Sequence, residues 1–247
     1  MEQEVNLNKV VRQHLEMEAE FAGFAVRPEG RLAEQKQPPK SSEAEATDAA
    51  KELETIAGEV RQCRQCELGS SRTNPVPGEG HPRARIMFVG EAPGADEDAV
   101  GRPFVGRAGQ LLDKIIAACG LRREDVFIGN VLKCRPPGNR DPRPEEIVCC
   151  IPYLQRQIEI ISPEVIVALG AHAAKTLLNT NKPIGQLRGE FQEYYPGLGR
   201  PPIKLMATYH TAYLLRSYTP ENRRRVWEDM KKVLGALGLP IPERGKS

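Results

Sequence analysis

Three stretches of this 247-residue chain carry side chains whose types and spacing could do chemistry. Residues 90–109 read GEAPGADEDAVGRPFVGRAG, with five glycines and two prolines that regular structure would use poorly. They suit a loop whose backbone amides press close to a ligand, although a generic turn reads the same way. The span has neither the GxGxxG nor the GK[ST] spacing of nucleotide loops. It also carries Glu91, Asp96, Glu97, Asp98 and the apolar Phe104. Asn130 closes the apolar run VFIGN and offers a donor and an acceptor side by side, which could read the amide edge of a base or simply form a turn. His210 lies in TYHTAYLLRS, residues 208–217, where Leu214, Leu215 and Arg216 could form a wedge that unstacks bases and meets phosphate.

The cysteines form a second pattern. Cys63 and Cys66 are a CxxC pair, with Cys134 and the adjacent Cys149 and Cys150 much later. A CxxC alone serves a zinc knuckle or a redox pair, but further cysteines raise the prospect of a four-thiolate site for a [4Fe–4S] cluster or zinc. The spacing leans away from zinc, whose structural sites come as two close pairs. Adjacent residues of a helix point about 100° apart, so Cys149 and Cys150 cannot both face one site well. Cys119, within IIAACG, reads as a core thiol.

These residues need a scaffold, and the hydrophobic pattern supplies one. Residues 85–90, 126–131, 165–169 and 204–208 are compact apolar runs that read as strands. Helical periods at 49–61, 108–119, 144–161, 171–178 and 221–237 surround them. Strands alternating with helices predict a three-layer αβα sandwich around a four-stranded parallel sheet, with ligands bound beyond the strands' carboxyl ends. Asn130 and His210 fall at two of those ends and the glycine-rich loop follows a third. The expected organisation is an amphipathic helix over 1–25, a flexible linker over 26–48 rich in Pro, Glu, Ser and Ala, a catalytic domain over 49–240 and a short tail over 241–247. With 40% hydrophobic and 28% charged residues and no apolar run of membrane-spanning length, the chain reads as a cytoplasmic protein without a membrane partner. Residues 1–50 hold ten acidic and six basic side chains, which leaves 23 acidic and 29 basic beyond them. The basic remainder suits a polyanionic partner, and equally an ordinary solvated surface.

With those residues in view, the chain resembles the family 4, or iron–sulfur, uracil-DNA glycosylases. The resemblance rests on the 90–109 loop, on GNVLKCRPPGNRDPRPEEIVCCIPYL (residues 129–154) and on the HxxxLLR segment, in that order between about residues 56 and 237. It implies a [4Fe–4S] cluster on Cys63, Cys66, Cys134 and Cys150, the last selected because that family sets its final cysteine one residue before Pro-aromatic-Leu. It also implies that Phe104 stacks on a flipped uracil, that Asn130 pairs with its O4 and N3–H edge, and that Glu97 blocks the C5 methyl of thymine. Glu91, Ala92 and Pro93 would supply backbone contacts to the base. His210, as a neutral imidazole, would donate to uracil O2, and Glu91 is the candidate for orienting water. Ala92 stands where a related branch has an acid, so Asp96, or no group at all, remains open for the water. Thr211 replaces the proline usual after the histidine, which predicts a less constrained loop. Uracil-containing DNA is the implied substrate, for a monomer whose residues 1–25 dock a protein partner. The competing expectation is a non-catalytic iron–sulfur protein that binds nucleic acid on the same scaffold.

Overall fold

The protein is described by a computed structural model over residues 43–197 and 199–242. The helix expected over 1–25, most of the linker and most of the tail lie outside the described residues. The elements in chain order are α1 (Glu43–Gln62), α2 (Leu68–Ser71), β1 (Glu79–Gly80), β2 (Ile86–Gly90), α3 (Ala95–Val100), α4 (Arg107–Ala118), β3 (Phe127–Asn130), α5 (Pro144–Ile161), β4 (Val165–Leu169), α6 (Ala171–Leu178), α7 (Ile184–Leu187), β5 (Gln192–Tyr194), β6 (Ile203–Thr208), α8 (Thr211–Arg216) and α9 (Pro220–Ala236).

Helix α1 starts at Glu43, so residues 43–48, expected as linker, are helical. The EAEATDAA segment is rich in alanine and glutamate, strong helix formers. Its apolar stripe, Ala49, Ile56, Ala57 and Val60, is buried.

The sheet has six strands in the order β1-β3-β2-β4-β6-β5. The inner four are parallel, as the alternating pattern predicts, while β1 and β5 pair antiparallel at the two edges. Those edge strands are only two and three residues long, too short to leave a periodic signature. Every position of β2, β3 and β4 is buried, as befits strands covered on both faces. Met87, Val89, Ile166, Ala168 and Leu205 face α1, α5 and α6, while Phe88, Ile128, Val167 and Met206 face α4 and α9. The chain passes from β2 to β3 on one side and then crosses to β4 on the other. This places a topological switch at the carboxyl end of β2, where open α/β sheets bind ligands. Among the described residues no helix is long and apolar enough to cross a membrane.

Candidate active site

The loop after β2 is built around two clamps. Glu97, in the first turn of α3, accepts hydrogen bonds from the backbone amides of Gly94 (3.0 Å), Val105 (2.9 Å) and Gly106 (3.0 Å). Its carboxylate therefore closes the loop on itself. The second clamp is Arg123, which donates to the carbonyls of Pro103 and Phe104. Arg123 is itself held by Asp113 (2.6 Å) and Glu79 (3.0 Å).

Between the clamps Phe104 sits at φ 51°, a left-handed conformation that a bulky residue adopts only under constraint. Gly109 must be glycine for the chain to pass there, because a Cβ on it would lie 1.9 Å from the Phe104 carbonyl oxygen. The loop thus drives a buried phenyl ring over the ends of the central strands.

Three of the side chains singled out by the sequence converge at this point. The Phe104 and His210 rings lie with centroids 5.8 Å apart and planes 30° from parallel. A Cβ on Gly90 would fall 2.3 Å from Asn130 Oδ1 and 2.7 Å from Phe104 Cζ, so these side chains crowd the same strand end. Asn130 is 2% exposed, yet its Oδ1 has no hydrogen-bond partner. A buried amide oxygen left unpaired costs about 1–3 kcal/mol, and such an atom points to a missing ligand.

His210 is the N-cap of α8, and its Nδ1 accepts the amide N–H of Ala212 at 3.0 Å. An imidazole that accepts at Nδ1 carries its proton at Nε2 and donates from there. Burial, with the Arg216 guanidinium adding to it against the pull of Glu97, lowers its pKa to about 4. The ring is thus a neutral donor near pH 7. Gly170, after β4, makes room for it, since a Cβ there would come 2.9 Å from that of His210. The cap also answers the loop question raised by Thr211. The residue is fully buried at the first helical position, so the histidine is aimed without help from proline.

Glu91 is half-buried beside a group the sequence did not suggest. One carboxylate oxygen each of Glu91 and Asp141 and a ring nitrogen of His172 lie within 4.8 Å of one another. Burial raises the Glu91 pKa, Asp141 pushes it the same way and His172 pulls it down. Pro93 is buried and Ala92 half-buried, while Asp96 is exposed, with its carboxylate against Gly106.

The proposed wedge divides. Leu214 is 2% exposed and belongs to the core between α4 and α9, so it has no freedom to enter a duplex. Leu215 is half-exposed, and Tyr213 and Arg216 are exposed on the same short helix.

Cys63, Cys66, Cys134 and Cys150 line one pocket together with Val60, Arg72, Lys133 and Tyr153. Cys149 borders it too, but its Sγ is directed to the Gln65 carbonyl, whereas Cys150 Sγ accepts the amide of Lys133 at 3.1 Å. Arg72 donates to Cys134 Sγ at 3.1 Å and also binds the carbonyls of Val60, Arg61 and Cys63. Burial pushes the Cys150 thiol up to about 12 and raises that of Cys134. The donors already directed at these sulfurs, the Arg72 guanidinium at Cys134 and the Lys133 amide at Cys150, favour their thiolate forms. Cys119 is buried apart from the pocket, its thiol likewise pushed up to about 12 by burial alone.

A mixed sheet with a parallel centre, a buried phenyl ring, an unpaired amide oxygen and an imidazole gathered at its switch point, and four cysteines lining one pocket, defines an α/β fold with a candidate ligand site. Residues 77–231 match the family described as the uracil DNA glycosylase superfamily. The chain is 49% identical over 190 residues to the type-4 uracil-DNA glycosylase of Saccharolobus solfataricus, spanning 75% of this chain and 86% of that protein. It is 48% identical over 194 residues to the type-4 uracil-DNA glycosylase of Archaeoglobus fulgidus, spanning 77% and 96%, and 49% identical over 182 residues to that of Thermotoga maritima, spanning 73% and 92%. The chain belongs to the uracil-DNA glycosylase superfamily, in its type-4 branch.

The sequence reading had no signal for Arg72, His172 or Gly170, whose partners lie far away along the chain. Lys133 stood next to Cys134 in KCRPP, and only its burial distinguishes it.

Proposed function

We propose that the protein removes uracil from DNA by hydrolysing its N-glycosidic bond, leaving an abasic site for base excision repair. The observation that carries this reading is the buried, unpaired Oδ1 of Asn130, at the strand end where Phe104 also lies, with the Phe104 ring 5.8 Å from that of His210. A flipped uracil stacked on Phe104 would give its N3–H to that oxygen. Cytosine has no proton on N3 and would leave the amide unsatisfied, which is a strong basis for rejection.

Bond cleavage leaves negative charge on the departing base, and the His210 Nε2–H is the donor for O2, with the backbone of residues 91–93 beside it, where Glu91 and Ala92 carry N–H groups and Pro93 has none. A neutral donor shares that charge without a permanent cation in the pocket. Glu91 orients the attacking water, since its carboxylate is half-buried and acceptor-only when ionised. Glu97 keeps Phe104 over the base by holding the loop amides, and in the same place restricts the space around C5. Tyr213, Leu215 and Arg216 meet the DNA strand around the extruded nucleotide.

Cys63, Cys66, Cys134 and Cys150 hold a [4Fe–4S] cluster in this reading. Their fit is supported by four sulfurs on one cavity, with a guanidinium and an amide already directed at two of them. When bound, such a cluster would clamp together the segment between α1 and α2, the segment after β3, and α5. We assign residues 49–240 to catalysis and residues 1–25 to docking a protein partner of an otherwise monomeric, cytoplasmic enzyme.

The test is incubation of anaerobically purified protein with single- and double-stranded DNA containing one uracil, followed by alkali. Strand scission at uracil and not at cytosine or thymine is expected. A brown protein with full iron content and no scission would leave the non-catalytic binding protein as the answer.

A further inference from the structure

Lys133 is 1% exposed, among the most deeply buried side chains of the molecule, and no step described above uses it. Its Nζ donates to the Asn130 carbonyl oxygen at 2.9 Å and to Gln157 Oε1 at 2.7 Å. Gln157, 2% exposed on α5, passes the contact on by donating from Nε2 to the Pro77 carbonyl at 2.8 Å. The backbone of Lys133 is committed as well: its N–H donates to Cys150 Sγ at 3.1 Å and its carbonyl accepts from Val76 at 2.8 Å.

The five residues from Asn130 to Cys134 therefore form one continuous girder. At its start the side chain of Asn130 lies in the base cradle. In its middle the amides of Val131 and Leu132 bind the carbonyls of Gly90 (2.9 Å) and Glu91 (3.0 Å), fixing the backbone of the loop that approaches the base. At its end Lys133 and Cys134 line the cysteine cavity. Lys133 thus ties the two ends together: its Nζ holds the Asn130 carbonyl and Gln157 Oε1, and its own amide holds Cys150 Sγ.

We infer that Lys133 is a positioning residue that couples occupation of the four-cysteine cavity to the recognition of uracil by Asn130. With Cys134 and Cys150 fixed on an occupied cavity, the Lys133 backbone is anchored and its Nζ holds the Asn130 carbonyl, which keeps the amide edge aligned on N3–H and O4. With the cavity empty that end of the girder loses its anchor and the Asn130 amide is held less firmly. The cavity thereby sets base discrimination as well as stability. Such coupling requires a contiguous element biased by both sites, and the 130–134 girder is one.

This inference rests on the uracil-excision reading, and the experiment separates the two. Lys133→Met, Gln157→Leu and the unaltered protein are compared as cluster-loaded enzymes. The readouts are iron content, the rate at which a chelator bleaches the visible absorbance, kcat and KM on uracil-DNA, and the inhibition constants of free uracil and cytosine. In both variants uracil inhibition should weaken by roughly fivefold or more and kcat should fall, with KM for DNA nearly unchanged and bleaching faster. Faster bleaching with unchanged uracil inhibition overturns the inference, since the cation would then serve the cluster alone. Weaker uracil inhibition with unchanged bleaching overturns it too, because the effect would be local to the pocket. Should Lys133→Met fail to fold, Gln157→Leu decides alone, as it leaves the lysine and removes only one of its anchors. If the unaltered protein neither excises nor binds uracil, it is the functional reading that fails.

Discussion

A methyl group on Gly90 would stand 2.3 Å from the Oδ1 of Asn130, so the end of β2 and the amide at the end of β3 are fitted together with no room for a side chain between them. Gly90→Ala must displace either that amide or the Phe104 ring. We expect excision to fall about a hundredfold, the scale of losing one aligned donor, with only a modest drop in melting temperature. Steady-state kinetics beside thermal melting checks this, and near-normal turnover would show that the cradle is more pliable than its geometry.

His210 gives a signature in pH. Its pKa is lowered to about 4 in the folded protein, against about 6.5 in an unfolded chain. Between those values the unfolded chain binds a proton that the native state does not. Stability therefore rises with pH across that window and levels off above it. His210→Gln should flatten this rise and lower kcat by roughly a hundredfold or more. Denaturation midpoints at several pH values, read for both proteins, decide the first part; an unchanged slope in the variant would contradict it.

Glu91 should govern the acid side of the activity profile. Its raised pKa means that activity is lost on acidification earlier than for an ordinary carboxylate. Because His172 pulls that pKa down while Asp141 pushes it up, His172→Ala should move the acid limb to higher pH and Asp141→Asn to lower pH. Opposite displacements in kcat–pH profiles are the criterion. Displacements of the same sign would remove Glu91 from the role.

Thr211 is fully buried with its hydroxyl oxygen unpaired, at the first position of α8. Proline is favoured at that position, and the preceding His210, at φ −67° and ψ 140°, already has the extended backbone that proline demands. Thr211→Pro should therefore stabilise the protein by about 1 kcal/mol, the scale of a removed unsatisfied group, and leave excision unchanged or faster. Urea denaturation and initial rates test it, and a large loss of activity would mean that the threonine does more than fill space.

Much of this was legible in the chain because the signals are local. Four apolar runs between helical periods gave the parallel core, and glycine density marked the loop that carries Phe104. The edge strands were not legible, since two or three residues carry no period. Leu214 and Leu215 looked equivalent as adjacent letters. Only the orientation of α8 against α4 and α9 puts the first in the core and leaves the second half-exposed. The bonds of Glu97 to three amides carried no local signal, since they are a property of the closed loop. Arg72 and Lys133 were silent because their meaning lies largely in contacts to Cys134, Cys150 and Gln157, which the order of the letters does not bring together.

Arg123 offers a more direct handle on the loop. Arg123→Met should free the Pro103 and Phe104 carbonyls and let the phenyl ring leave its place, lowering kcat about tenfold to a hundredfold while KM for DNA changes little. Equal losses in binding of undamaged DNA would argue for a general surface defect.

The left-handed backbone of Phe104 has a further consequence for how this protein can change. A constraint of about 1–3 kcal/mol is stored there and relaxes whenever the loop opens. Replacing the phenylalanine with glycine would release that strain but forfeit the burial of the ring, a loss of about 3–5 kcal/mol, so the turn has no easy escape. The side chain that serves base recognition also offsets the strain of its own backbone, and descendants that keep the ring keep the strain.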